Sequence, residues 1–343
     1  MRITFLGAAG TVTGSKYLLD HRDRHVLIDC GLFQGYKQLR LHNWDPFQLP
    51  VRDLDAIVLT HAHLDHSGYL PVLVRNGYRG PIYATAATCE LVKILLLDSG
   101  RLQEEEAGFA NRHGFSRHAP ALPLYTEQDA EQALKLLQPV ELHHRVEIVP
   151  GLSILLRGAG HILGAATVEV VADGVTLVCS GDLGRPNDPL MLAPETIEQT
   201  DYLLIESTYG DRQHPDDDPE QQLTDVINRT ALRHGITLVP SFAVGRAQLL
   251  MYHLYRLKQK HAIPDLPIYL NSPMATDVTR LYQRFRSEHR LSLQECEGMC
   301  QGTRFIRSTQ ESIDLDHQRI PAVIIAASGM ATGGRVLHHL KAL

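Results

Sequence analysis

His61-Ala62-His63-Leu64-Asp65-His66 places three imidazoles and a carboxylate within six residues. The apolar run Ala56-Ile57-Val58-Leu59-Thr60 before it reads as a strand. Ser67-Gly68-Tyr69-Leu70-Pro71-Val72-Leu73-Val74 after it carries a helical pattern. Packing gives no reason to end a strand in this way. Neutral imidazole is the common zinc ligand, and an Asp oxygen accompanies it where one position stays open for water. On a strand-to-loop corner His61 and His63 share a face, because alternate residues point the same way. Asp65 and His66 fall where the chain turns into the helix, within reach of a second ion.

A two-ion site needs more ligands than this hexad supplies, and other strand ends offer them. His161 lies in Gly158-Ala159-Gly160-His161-Ile162-Leu163-Gly164-Ala165, where small residues let the backbone crowd a site. Asp182 lies in Cys179-Ser180-Gly181-Asp182-Leu183-Gly184-Arg185, directly after an apolar strand pattern. Asp29 ends another, His25-Val26-Leu27-Ile28-Asp29-Cys30-Gly31. The glycines at 7, 10 and 14 fit neither G-x-G-x-x-G nor G-x-x-x-x-G-K-[ST], so that turn reads as permissive backbone and not as a nucleotide cradle.

The chain has 343 residues, more than one core usually serves, so two domains are expected. With 44% hydrophobic and 21% charged residues it has the composition of a soluble globular protein. No apolar run reaches the length of a membrane span, and Met1 to Gly7 reads as a strand, which makes the cytoplasm the working assumption. The net charge of −6 argues against coating duplex nucleic acid non-specifically, though it leaves room for a local basic groove. The five cysteines, with the Cys296-x-x-x-Cys300 pair unmatched by a second pair, read as reduced thiols.

Short strands dominate as far as Glu206, with Tyr202-Leu203-Leu204-Ile205 as the last buried one. Thr126-Glu127-Gln128-Asp129 reads as a capping box opening a helix through Leu137. The polar segment Tyr209 to Pro219 marks a boundary, dividing the chain into 1–208 and 209–343. Beyond it, helix and strand alternate, which implies parallel strands with crossover helices and ligands at the strands' carboxyl ends. Three loops lie there: Ser241 to Arg246, Asn271 to Ala275, and Ser328 to Arg335.

In this order the motifs resemble the metallo-β-lactamase superfamily: an Asp after an early strand, H-x-H-x-D-H, a later His and a later Asp. Glu206 in Leu204-Ile205-Glu206-Ser207-Thr208-Tyr209-Gly210 is similar to the first acidic motif of its β-CASP branch. Ser241-Phe242-Ala243-Val244-Gly245-Arg246-Ala247-Gln248 and Ala327-Ser328-Gly329-Met330 resemble that branch as well. The nearest likeness is to bacterial and archaeal RNA nucleases similar to the nuclease subunit of cleavage and polyadenylation specificity factor.

The resemblance implies an αββα sandwich over 1–208 and an inserted parallel-sheet α/β domain of the β-CASP type over 209–343. It implies one zinc on His61, His63 and His161, a second on Asp65 and His66, and Asp182 bridging, with manganese the alternative on ligand type. A hydroxide shared by two such ions, about 3.5–4 Å apart, would attack an RNA phosphodiester in line. Asp29 would accept a hydrogen bond from a ligand histidine, or bind backbone amides in the glycine turn. Glu206 would orient a histidine that protonates the leaving oxygen, or be a simple strand-end charge. Ser241, Arg246, Ser272, Ser328, Gly329 and Met330 would hold successive phosphates; Arg335 would join them or pair with a surface acid. Single-stranded RNA is the implied partner, a homodimer is allowed, and no membrane is involved.

Two further motif histidines of the branch fall after the segment matching Ser328 to Leu343, as do the last strands of the lactamase sheet. The chain ends at His338-His339-Leu340-Lys341-Ala342-Leu343 with no Gly, Asn or Pro stop signal. The expectation is a shortened form of a longer protein that holds its first zinc better than its second, with activity in question. A lactam or thioester hydrolase of the same fold and an inactive RNA-binding pseudo-enzyme are the competing readings. The serine, glycine and arginine loops argue against the small-molecule reading, since small substrates need no such clamp.

Overall fold

The computed structural model describes every residue except His214, Pro215, Asp216, Arg319 and Thr332. Parts of the expected boundary segment and of the Ser328 to Arg335 loop therefore lie outside the described residues. The chain separates into two compact units, Met1–Asn187 with Ala193–Thr208, and Asp188–Leu192 with Tyr209–Leu343. The five-residue excursion is unanticipated by a single cut at 208/209. It is held by Met191 bridging His289 and by the Arg290 amide donating to the Leu190 carbonyl at 2.9 Å.

The first unit holds two sheets. One runs β1 (Arg2–Phe5), β2 (Tyr17–His21), β3 (Arg24–Ile28), β4 (Ala56–Val58), β5 (Ile82–Ala84), β6 (Leu137–Pro139) in that spatial order. Strands β1 to β3 are antiparallel, and β3 to β6 are parallel. The other is ordered β11 (Tyr202–Leu204), β10 (Val175–Cys179), β9 (Ala166–Ala172), β8 (Leu152–Gly158), β7 (Val146–Val149). Alternation makes the sandwich: Val26 and Ile28 share a core with Val168, Val170, Ile154 and Leu156. Leu27 and Ile57, on the opposite face, are also fully buried, as strands covered on both sides require. Helices α1 (Lys37–Leu41), α2 (Leu64–Ser67), α3 (Leu70–Arg75), α4 (Ala86–His113) and α5 (Glu127–Leu134) complete the unit.

Three expectations need correction here. The capping box at Thr126 and Asp129 is present, but its helix ends at Leu134 and Leu137–Pro139 pairs in parallel with β5. Tyr202, Leu203 and Ile205 are more than half exposed, because β11 is an edge strand and not a buried one. The helix expected over 67–74 is shorter, α3 (Leu70–Arg75), and a separate one-turn helix, α2 (Leu64–Ser67), takes in the last three residues of the hexad itself.

The second unit is a four-stranded sheet ordered β12 (Ile236–Pro240), β15 (Ala322–Ala326), β13 (Ile268–Asn271), β14 (Arg304–Phe305), and every pairing is parallel. Helices α6 (Pro219–Leu232), α7 (Arg246–Gln259), α8 (Pro273–Arg284), α9 (Leu293–Gln301), α10 (Thr309–Asp316) and α11 (Arg335–Ala342) connect and flank it. Pro240, Ala326 and Asn271 stand level in the register, so the loops that follow all leave one edge of the sheet. Among the described residues, no helix is long and apolar enough to cross a membrane.

Candidate metal centre

The hexad leaves the carboxyl end of β4, beside the end of β3, where Ile28 pairs with Val58. Backbone pairing fixes its far side: Cys30 N–H donates to the His66 carbonyl at 2.7 Å and Ser15 N–H to the Asp65 carbonyl at 2.8 Å. Gly31 permits this approach, since a Cβ there would lie 1.6 Å from the Asp65 oxygen. From the second sheet come His161, after β8, and Asp182, after β10. Their loops meet at Gly184, where a Cβ would lie 1.9 Å from the Gly160 oxygen.

The side chains converge as the motifs foretell. His61 Nε2 lies 3.2 Å from His63 Nδ1, and His161 Nε2 lies 3.3 Å from the same atom. Asp182 Oδ2 is 3.7 Å from His61 Nε2 and 3.5 Å from His161 Nε2. Ligand atoms of these four residues all fall within 4.8 Å of one another. A tetrahedron with spokes of about 2.0–2.1 Å has edges of about 3.3 Å, so the spacing suits a zinc-sized ion. The other carboxylate oxygen, Asp182 Oδ1, lies 3.3 Å from His66 Nε2, and Asp65 Oδ2 lies 4.0 Å from that nitrogen. One aspartate therefore faces two nests of ligands.

Hydrogen bonds behind the cluster set which nitrogens face it. Asp29, fully buried, accepts from His66 Nδ1 at 2.7 Å, from the Thr60 amide at 2.8 Å and from the Ser15 hydroxyl at 3.1 Å. It thus meets a histidine and also binds a backbone amide, but the amide is Thr60's rather than one in the glycine turn. The Thr60 hydroxyl donates its one proton to Asp29 at 3.0 Å, so at 3.0 Å it accepts from His61 Nδ1–H. His61 then presents Nε2 with its lone pair to the cluster. Sequence reading missed Thr60 and Ser15 as contributors; the threonine's position directly before the hexad was the available signal.

Electrostatics agree with a cation site. Burial, helped by the three neighbouring imidazoles, lowers the His61 pKa well below the usual histidine range and keeps it neutral. Burial also opposes charge on His66, but Asp29 and Asp182 outweigh it and raise its pKa well above that range. Burial likewise raises Asp65, whereas Asp182, despite burial, is held at about 2 by His66 and the other imidazoles. The Asp29 and Asp182 carboxylates that raise His66 are charges that a divalent ion bound there would offset.

The Glu206 carboxylate accepts from the Leu183 amide at 2.8 Å, which ties the Asp182 loop to the end of β11. In the second unit Ser241 and Ser272 are nearly buried. Ser272 caps α8 by accepting from Ala275 N–H at 3.1 Å, and Ser241 Oγ donates to the Phe242 carbonyl. Arg246 is exposed at the first turn of α7, and Met330 is 69% exposed. Gly329 lies against Phe242, whose half-exposed ring sequence reading passed over. Arg335 interacts electrostatically with the surface acid Glu311, and its guanidinium also donates to Asn271 Oδ1 at 2.7 Å and to the Ile306 and Arg307 carbonyls.

Comparison with known proteins matches residues 9–225 to the metallo-β-lactamase superfamily and residues 247–343 to the β-CASP domain. The chain belongs to the β-CASP branch of the metallo-β-lactamase superfamily. It is 40% identical over 348 residues to a ribonuclease of Thermus thermophilus, covering 99% of this chain and 76% of that protein. It is 33% identical to the transcription termination factor FttA of Methanocaldococcus jannaschii, covering 100% of this chain and 54% of the factor. The FttA of Pyrococcus abyssi is also 33% identical, again with 54% of its length covered. The chain thus spans about half the length of these archaeal superfamily members. Its His/Asp cluster lies within the metallo-β-lactamase match and has the arrangement of a group that could hold a divalent ion.

Proposed function

We propose that this chain is a metal-dependent ribonuclease acting on single-stranded RNA in the cytoplasm, with residues 1–208 as the metallo-β-lactamase domain and 209–343 as the β-CASP domain. His61, His63, His161 and Asp182 would hold one zinc ion, and Asp65, His66 and Asp182 a second; manganese is the alternative. Ions bound there supply an activated water and neutralise charge on the phosphoryl group. The observation that carries this reading is the placement of Asp182, with one oxygen toward the imidazole triad and the other toward His66.

The chain's own residues do the orienting. Asp29 and Thr60 fix the tautomers of His66 and His61, as hydrogen bonds behind metal ligands commonly do. Glu206, through the Leu183 amide, keeps the Asp182 loop in place. In the second unit, Ser241, Ser272, Ser328 and Arg246 stand where parallel strands deliver ligand contacts and would bind phosphate oxygens. The Phe242 ring offers a face on which a base can stack. The similarity to a protein named ribonuclease supports RNA as substrate.

The test is cleavage of a labelled single-stranded RNA by the chain with added zinc or manganese, beside His63→Ala. The expected result is cleavage that the variant loses. Cleavage undiminished in His63→Ala would sink the metal mechanism. RNA left intact while a thioester is hydrolysed would replace this reading with the small-molecule one.

A further inference from the structure

The second unit contains a buried polar chain that the phosphate-binding reading does not use. Asn271, the last residue of β13, is fully buried, and His339 on α11 is too. Asn271 Nδ2 lies 2.6 Å from His339 Nε2 and donates to the Ser312 hydroxyl at 2.7 Å. His339 Nδ1 lies 2.5 Å from Asp316 Oδ1. Asn271 Oδ1 accepts from Arg335 at 2.7 Å.

These contacts have one self-consistent direction. The Asp316 carboxylate can only accept, so His339 Nδ1 carries the proton. His339 Nε2 is then an acceptor for the Asn271 amide, whose oxygen is left for Arg335. The order is Arg335 to Asn271 to His339 to Asp316, a cation at one end and an anion at the other. A proton on His339 Nε2 would oppose the Asn271 N–H group, so in this arrangement that nitrogen accepts. Arg335 and His339 are four residues apart on one face of α11 and grip the end of β13 together. Ser272 follows Asn271 directly. The same helix start binds the adjacent loop, with Val336 N–H donating to the Ala327 carbonyl at 3.0 Å.

We propose that the Arg335–Asn271–His339–Asp316 relay is a positioning device that locks the Ser272 and Ser328 loops in the geometry that binds the substrate's phosphates. This rests on the reading of those loops as the RNA grip. The relay touches no substrate; it acts through the loops. Its signature is an effect on KM and RNA affinity with kcat spared.

The experiment compares the parent with His339→Ala, Asn271→Asp and Ser272→Ala in steady-state cleavage and in fluorescence anisotropy with a single-stranded RNA oligonucleotide, after thermal melts confirm folding. His339→Ala should raise KM roughly fivefold to tenfold, the worth of a buried hydrogen bond, and leave kcat within about twofold. Asn271→Asp is the decisive variant. Its new carboxylate still accepts from Arg335 but can meet His339 only if Nε2 gains a proton. RNA affinity relative to the parent's should then be highest at acid pH, where His339 Nε2 can carry a proton, and lower in alkaline buffer. The His339 ring resonances should show that titration by NMR. If Ser272→Ala weakens RNA binding while both relay variants bind as the parent does at every pH, the relay proposal fails and the RNA reading stands. If the parent neither binds nor cleaves RNA, the RNA reading fails and takes the relay with it.

Discussion

His61 turns its lone pair toward the cluster because a hydroxyl with one proton stands behind it. Thr60→Val keeps the shape and removes that hydroxyl, leaving His61 Nδ1–H without its acceptor. Metal affinity is expected to drop about 10- to 100-fold, the usual cost of losing a hydrogen bond behind a ligand, read by competition with a chromogenic chelator. An unchanged affinity would mean that packing alone holds the ring. Lys16 makes a different kind of test. Its ammonium is nearly buried, 4.4 Å from the Phe33 ring centre and 4.9 Å from that of Tyr69, and burial lowers its pKa from 10.5 to about 8. Between those values the unfolded chain holds a proton that the folded chain has released, so this residue's contribution to stability rises with pH. The stability difference between the parent and Lys16→Met should therefore shift in the parent's favour from about pH 8 to 10.5, by on the order of 3 kcal/mol. Urea titrations at several pH values would show it, and a flat difference would refute the buried amine. The convergence of the candidate ligands was legible in the sequence, because His and Asp at that spacing, each at a strand end, would serve an ion far better than they serve a core. Thr60, Ser15 and the Arg335 clamp were not, since a hydroxyl or guanidinium acquires its role only from the backbone that surrounds it.

At the scale of elements, the site depends on loops docking closely enough to exclude a side chain. Gly31→Ala would put a methyl group 1.6 Å from the Asp65 carbonyl oxygen, so the pairing between the segments at 30–32 and 64–66 must open. A loss of more than about 3 kcal/mol is expected, together with reduced metal content, measured by thermal melts and elemental analysis. A variant that melts like the parent would show that the backbone can move aside. Strands with partial alternation and β-branched residues, such as β9, could be recognised from their pattern. Among the elements overlooked, β14 has two residues, and α9 and α10 are short and mostly polar. The edge position of β11 escaped notice for a related reason: Tyr202-Leu203-Leu204-Ile205 is apolar enough to be buried, and only sheet order reveals that it is exposed.

For the whole molecule, bound ions should add to stability through mass action. At a free metal concentration 100 times the dissociation constant the gain is about 2.7 kcal/mol per site, so chelator treatment should lower the melting temperature and restored zinc should recover it. The His63→Ala variant should show little of that recovery. Equal melting temperatures with and without chelator would indicate that the cluster does not hold metal in solution. The division into two units was visible as a change from sheet-rich to alternating pattern near residue 209. The excursion at Asp188–Leu192 was not, because its pairing with His289 and Arg290 spans about a hundred residues.

The level alignment of Pro240, Ala326 and Asn271 works as a gauge. Neighbouring strands are spaced at about 4.8 Å, a pitch imposed by main-chain hydrogen bonds and indifferent to side chains. The serines at 241, 328 and 272 follow three consecutive strands across that gauge. If these serines hold phosphates as proposed, substituting one would change how firmly one mark grips and leave the distance between marks as it was. On the proposed reading, measuring out a different length of substrate would require a strand to slip, and a slip of one residue would exchange the two buried faces of β15.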